Sequence, residues 1–170
     1  GDISFNEGGR EENAAQALEI QGKSAEGLAK LESAAAHFRR AANTFEEAVQ
    51  RYPNAEQSMR ARYHLAESWR RIAKVPRRKL RSANIEAVRL ALVKEIQTAV
   101  RSSMAAYEQL QAELNQRQET YPLTSLESTL LRNCYFAQGD LYYELGQHEE
   151  AIVAYKAASN RYQSQPEALH

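Results

Sequence analysis

From Leu28 to Tyr52, the apolar residues Leu28, Leu31, Ala35, Phe38, Ala42, Phe45, Val49 and Tyr52 recur at strictly alternating spacings of three and four, with no glycine or proline among them. That is the period of one helix face. A strand cannot keep it, because its side chains change face at every residue. So long a stripe also needs other elements to bury it. Val93, Ile96, Val100, Met104, Tyr107, Leu110 and Leu114 repeat the argument further on. Two such segments in 170 residues that include only seven Gly and four Pro predict an all-α chain.

The breaks between helices follow from local chemistry. Residues 1–23 read as a flexible lead, with Gly8-Gly9 and no periodicity, followed by a short helix from Arg10 to Gln21 that Gly22 ends. Residues 24–170 read as one helical domain. Ser24 is the expected N-cap of the long stripe, and Pro53 closes it. Asn54 with Gln57 resembles a capping box, opening a helix that buries the stem of Arg62 with Leu65, Ala66, Trp69, Ile72 and Ala73 and stops at Pro76. A basic connector, Arg77 to Arg81, leads to the second stripe, which breaks at Tyr121-Pro122. Thr124 with Glu127 starts a further helix, Gly146 ends it, and the last runs from about His148 to Tyr162. Pro166 and Glu167 read as the first turn of yet another helix, which predicts that the chain is a piece of a longer protein.

Ala41-x3-Phe45-x2-Ala48-x2-Arg51-Tyr52 and Ala151-x3-Tyr155-x2-Ala158-x2-Arg161-Tyr162 carry the same residue types at identical spacings. Alanine lets two helices approach, and the ring that follows fills the space beside it. Tyr135-x2-Gln138-Gly139-x2-Tyr142, then Gly146, then Ala151-x3-Tyr155 and Ala158 resembles the tetratricopeptide repeat, whose helix pair follows W-x2-L-G-x2-Y, a turn and A-x3-F. The departures are Tyr135 for Trp, Gln138 for Leu and Gln163 for Pro. Arg62-x2-Leu65-Ala66-x2-Trp69 is a looser first-helix match, and the distance from Trp69 to Tyr142 places an insertion between Lys74 and Val100. The resemblance implies antiparallel helical hairpins stacked as a right-handed superhelix, an α-α solenoid, with one elongated middle helix. Arg51-Tyr52-Pro53-Asn54 followed by a new helix resembles the degenerate repeats of bacterial cell-envelope proteins. That similarity implies a scaffold of the periplasm or envelope, with a cytoplasmic setting left open.

Composition removes several function classes. The 22 basic and 22 acidic residues cancel, leaving no global attraction to nucleic acid, an anionic membrane or an acidic substrate. Single Cys134 cannot close an internal disulfide, and it shares a face with Leu130, Leu131 and Ala137, which marks it as a small core residue. His37, His64 and His148 form no His-x-x-x-His pair, and the Glu-x-x-His pair Glu167/His170 stands alone. Glu46-Glu47 and Glu149-Glu150 sit on outward faces, and neither a glycine-rich phosphate loop nor a serine elbow occurs. No enzyme activity, cofactor, metal or small-molecule substrate is therefore expected, and no membrane contact by this stretch.

The tetratricopeptide resemblance implies that a protein or peptide partner lies on a concave face lined by the first helices of each pair. The candidates are Arg60, Tyr63, Glu67, Arg70 and Arg71 on one helix, and Asn133, Phe136, Asp140, Tyr143 and Glu144 on another. Tyr63, Phe136 and Tyr143 are the expected anchors, unless neighbouring helices cover them. Two rivals stand beside this non-enzymatic scaffold. One is self-association through the long stripes. The other is an acidic or nucleic-acid partner on the run Arg70, Arg71, Lys74, Arg77, Arg78, Lys79 and Arg81. There, the lack of interleaved aromatics favours a solvated connector over a nucleic-acid surface.

Overall fold

A computed structural model describes residues 1–53, 55 and 57–162, and every regular element among them is a helix. The order is α1 (Asp2–Ile20), α2 (Ser24–Arg51), α3 (Ser58–Ile72), α4 (Lys74–Leu80), α5 (Glu86–Thr120), α6 (Ser125–Glu144) and α7 (His148–Tyr162). The all-α helical-repeat expectation holds, including the elongated middle helix: α5 has 35 residues. Two compact units divide the chain, Gly1–Ser103 and Met104–His170.

The N-terminus corrects the sequence reading. Residues 1–10 are no flexible lead, because α1 begins at Asp2 and packs along α2. Gly8 serves close approach: a Cβ there would stand 2.8–3.0 Å from the Phe38 ring. Phe5 lies edge-on to Phe38 at 5.6 Å and to Phe45 at 6.3 Å between centroids, a favoured aromatic arrangement. Carboxylates of α1 flank this contact, Glu7 pairing with His37 at 2.9 Å and Glu11 with Lys30 at 2.9 Å.

The turns of the α1–α2 and α6–α7 hairpins are built alike. Gly22 has φ +78° and Gly146 has φ +76°. The Lys23 amide donates to the Leu18 carbonyl at 2.9 Å, and the Gln147 amide donates to the Tyr142 carbonyl at 3.0 Å. Both helices thus end in a left-handed glycine with a bond reaching back over the last turn. Around these turns Ala15, Leu18, Gly27, Leu31 and Ala34 stand where Gly139, Tyr142, Ala151, Tyr155 and Ala158 stand, and every small residue of the two sets is buried. The sequence comparison instead paired Ala41 with Ala151, about four turns further along α2. Four turns return to the same face, so periodicity alone does not distinguish the two registers.

Elsewhere in the N-terminal unit, Ser24 is the first residue of α2 rather than its cap, and its hydroxyl accepts from the Arg78 guanidinium. Asn54 lies outside the described residues; α3 starts at Ser58 behind Gln57, with no side-chain cap. Arg62 is buried as expected, and its guanidinium donates to the Pro53 carbonyl at 3.4 Å. Pro76 does not end a helix. It sits in the first turn of α4, where a missing N–H leaves no helical bond unmade. Ser103 of α5 donates to the Ala66 carbonyl of α3 at 2.8 Å.

In the C-terminal unit the Thr124–Glu127 capping box forms. The Thr124 amide donates to Glu127 at 2.8 Å, and the Glu127 amide donates back to the Thr124 hydroxyl at 3.3 Å. The Thr124 amide above all, then the Thr124 hydroxyl and Arg117, outweigh burial and hold the Glu127 carboxyl below the usual range. Tyr107, Leu110 and Leu114 are wholly buried. Gly139 sits against the Tyr155 ring, where a Cβ would come within 2.6–2.9 Å. Gln163, Pro166, Glu167 and His170 lie outside the described residues.

Candidate functional site

The ten expected partner-contacting residues fall on α3 and α6, one helix in each unit. On α3, Arg60 is exposed and its Nε donates to His64 Nε2 at 3.3 Å. Tyr63 is half-buried, edge-on to His64 at 6.0 Å. Glu67 faces Arg71 at 3.5 Å and Arg70 at 4.0 Å. Arg71 is turned to an internal use: its guanidinium lies 5.0 Å from the Phe5 ring centre and 5.2 Å from that of Phe38, and it meets Glu12 at 3.6 Å. Cation–π contact and ion pairing there fasten α1.

The basic run behaves likewise, which corrects its reading as a solvated connector. Lys74 pairs with Glu12, Arg78 with Glu19 at 2.7 Å and Lys79 with Glu32 at 2.6 Å. Most of the run belongs to α3 and α4 rather than to a loop. Its counter-charges come from α1 and α2. Glu12 and Glu19, seven residues apart and so on one helix face, were the available signal.

On α6, Asn133, Phe136, Asp140 and Glu144 are half-buried. The Phe136 ring lies 6.5 Å from that of Tyr162, and Asp140 accepts the Tyr155 hydroxyl at 2.5 Å, so both are turned toward α7. Tyr143 stays on the surface at 64% exposure, its ring 5.3 Å from His148. Sequence reasoning missed Arg161, which stacks on Tyr135 at 5.0 Å and donates to Gln118 at 2.8 Å and Asn115 at 3.2 Å.

Cys134 is fully buried, and burial pushes its thiol up to about 12, far from a thiolate nucleophile. Among the described residues no group of three or more His, Cys, Asp or Glu could hold a metal ion, and no helix is long and apolar enough to cross a membrane.

His64 provides a pH test of the α1–α3 contact. Its ring packs against Phe5 at 4.6 Å and Phe45 at 5.5 Å between centroids. Burial, then Arg60 and Arg71, depress its pKa against the opposing pull of Asp2 and Glu67. The folded chain therefore holds His64 neutral while the unfolded chain takes up a proton near pH 6.5. This contribution is intact above that pH and is lost as pH falls through 6.5 toward the depressed folded value. His64→Gln should flatten the slope of stability between pH 5 and 7 in urea titrations; an unchanged slope would refute the assignment.

Comparison with known proteins adds one finding. Residues 133–164, which span most of α6 and all of α7, match the tetratricopeptide repeat family model. No curated protein and no solved structure matches the chain.

Proposed function

We propose that this helical-repeat chain, whose α6–α7 hairpin is a tetratricopeptide repeat, is a non-enzymatic scaffold that holds a segment of a protein partner. Such repeats generally mediate protein–protein interaction and are generally not catalytic. The observation that carries the reading is Tyr143. A large ring left on the surface of the repeat's first helix, with Glu144 beside it, offers an apolar seat next to a charge. Tyr63 provides a second, half-buried ring on α3, with the exposed Arg60 one turn before it. Affinity is modest, because exposed rings must be ordered and desolvated on binding.

Substituting Tyr63→Ala together with Tyr143→Ala should weaken capture of a cross-linked partner by roughly tenfold or more, the effect of losing one well-seated aromatic anchor. The circular dichroism spectrum should not change. Undiminished capture would remove both helix faces from consideration. Self-association through the long stripes has less support, since Phe38 and Val100 are at most 1% exposed and already packed within their own chain.

A further inference from the structure

A cleft of about 310 Å³ opens in the C-terminal unit where the end of α5 meets α6 and the last turn of α7, lined by Gln118, Leu123, Ser128, Leu131, Arg161 and Tyr162. Its polar groups are mostly donors. Arg161 is held in place without being neutralised: its guanidinium lies 5.0 Å from the Tyr135 ring centre, and its Nη2 donates to the uncharged oxygens of Gln118 at 2.8 Å and Asn115 at 3.2 Å. Among the described residues it pairs with no carboxylate. Gln118 gives its oxygen to Arg161, which leaves its NH2 group as a further donor, and Ser128 adds a hydroxyl. Tyr162 is 8% exposed, and its hydroxyl is buried with no hydrogen bond. Burial raises the pKa of that hydroxyl, with Arg161 pulling the other way. A guanidinium only donates, so it cannot accept the Tyr162 proton. A buried O–H is costly until an acceptor reaches it, and the fork of a guanidinium matches the two oxygens of a carboxylate.

We propose that this cleft binds a small aliphatic monocarboxylate, whose oxygens accept from Arg161 and Tyr162 and whose alkyl chain rests on Leu123 and Leu131. The volume is at the low end for ligand pockets, which suits a short-chain acid. A peptide segment suits the cleft less well, because its backbone N–H groups need acceptors and the Gln118 oxygen is already bonded to Arg161. Inorganic phosphate would leave both leucines without a role. Glu119 lines the adjoining cleft on Arg161 rather than this one. Nothing in the sequence predicts such a ligand, since the cleft forms only where three helices meet. The site shares no residue with the Tyr63 and Tyr143 faces and stands independently of them.

The probe is hexanoate, titrated against the full chain by two-dimensional NMR. Amide shifts should saturate and should centre on Ser128, Leu131 and Tyr162, a readout in the unmodified chain that does not depend on any variant folding. Arg161→Gln should weaken binding about tenfold or more, the effect of losing a hydrogen bond to a charged group. Lys156→Gln, an equal charge change on an exposed position of α7 outside the cleft, should leave binding unchanged. Tyr162→Phe should also weaken binding, while the ligand-free chain resists urea at least as well as the parent, because the hydroxyl removed has no acceptor. Hexanol and inorganic phosphate should bind far more weakly than hexanoate. Equal binding of hexanol would remove the ionic contact, equal binding of phosphate would remove the alkyl seat, and tighter binding of the blocked dipeptide acetyl-Glu-Leu-amide would remove the small-molecule assignment. The absence of saturable shifts, shifts centred outside the cleft, an equal loss in Lys156→Gln, or unchanged affinity in Tyr162→Phe would each overturn the proposal.

Discussion

Phe38→Ala should destabilise the N-terminal unit by about 3–5 kcal/mol, the range for emptying a buried phenylalanine site. The ring is 1% exposed, meets Phe5 edge-on and lies beneath the Arg71 guanidinium. Gly8 also stands against the ring and has no side chain to move into the void. Collapse of the cavity would require α1 to shift as a whole, breaking its ion pairs from Glu7, Glu11 and Glu12, so the upper part of the range is expected. Urea unfolding followed by circular dichroism, with hydrogen exchange on α1, measures both effects. A loss below about 1 kcal/mol, with α1 protection retained, would mean that α1 is not packed on this ring.

Gly139→Leu should open the C-terminal hairpin, with a loss of about 3 kcal/mol or more, at the upper end of overpacking costs. A Cβ alone would reach the Tyr155 Cδ1 and Cε1 at 2.6 Å and Cγ at 2.9 Å. Cγ sits next to the backbone, so the ring clears the space only by changing its χ1 rotamer. That change breaks the 2.5 Å hydrogen bond from the Tyr155 hydroxyl to Asp140. Gly139→Ala sets two effects against each other: a gain of about 1 kcal/mol in helix propensity and an overpacking cost of about 1–3 kcal/mol. A small net loss follows. Thermal unfolding ranks the two variants, and a Gly139→Ala chain more stable than the parent would show that Tyr155 swings aside cheaply.

The α6–α7 hairpin was readable residue by residue because its signals are local. Thr124 and Glu127 satisfy each other's amides within one turn, and Gly146 adopts a left-handed conformation that a side chain would strain. Cys134 lies on the same face as Leu130 and Ala137, so its burial follows from helical geometry. The candidate surface was less legible. Asp140 and Phe136 point away from the stripe on a helical wheel, yet α7 brings Tyr155 and Tyr162 to meet them. A wheel for one helix cannot show how far the next one wraps around it.

Helix period and the breaks at Gly22, Tyr121-Pro122, Thr124 and Gly146 were determined by the sequence alone, because each depends on residues within a turn or two of one another. The tertiary structure decided the roles of Gly8, Arg71 and the basic run. A glycine can mean a flexible chain or a close approach, and an arginine a solvated charge or a clamp. Neither is settled until another element supplies the Phe38 ring or the Glu12 carboxylate at contact distance.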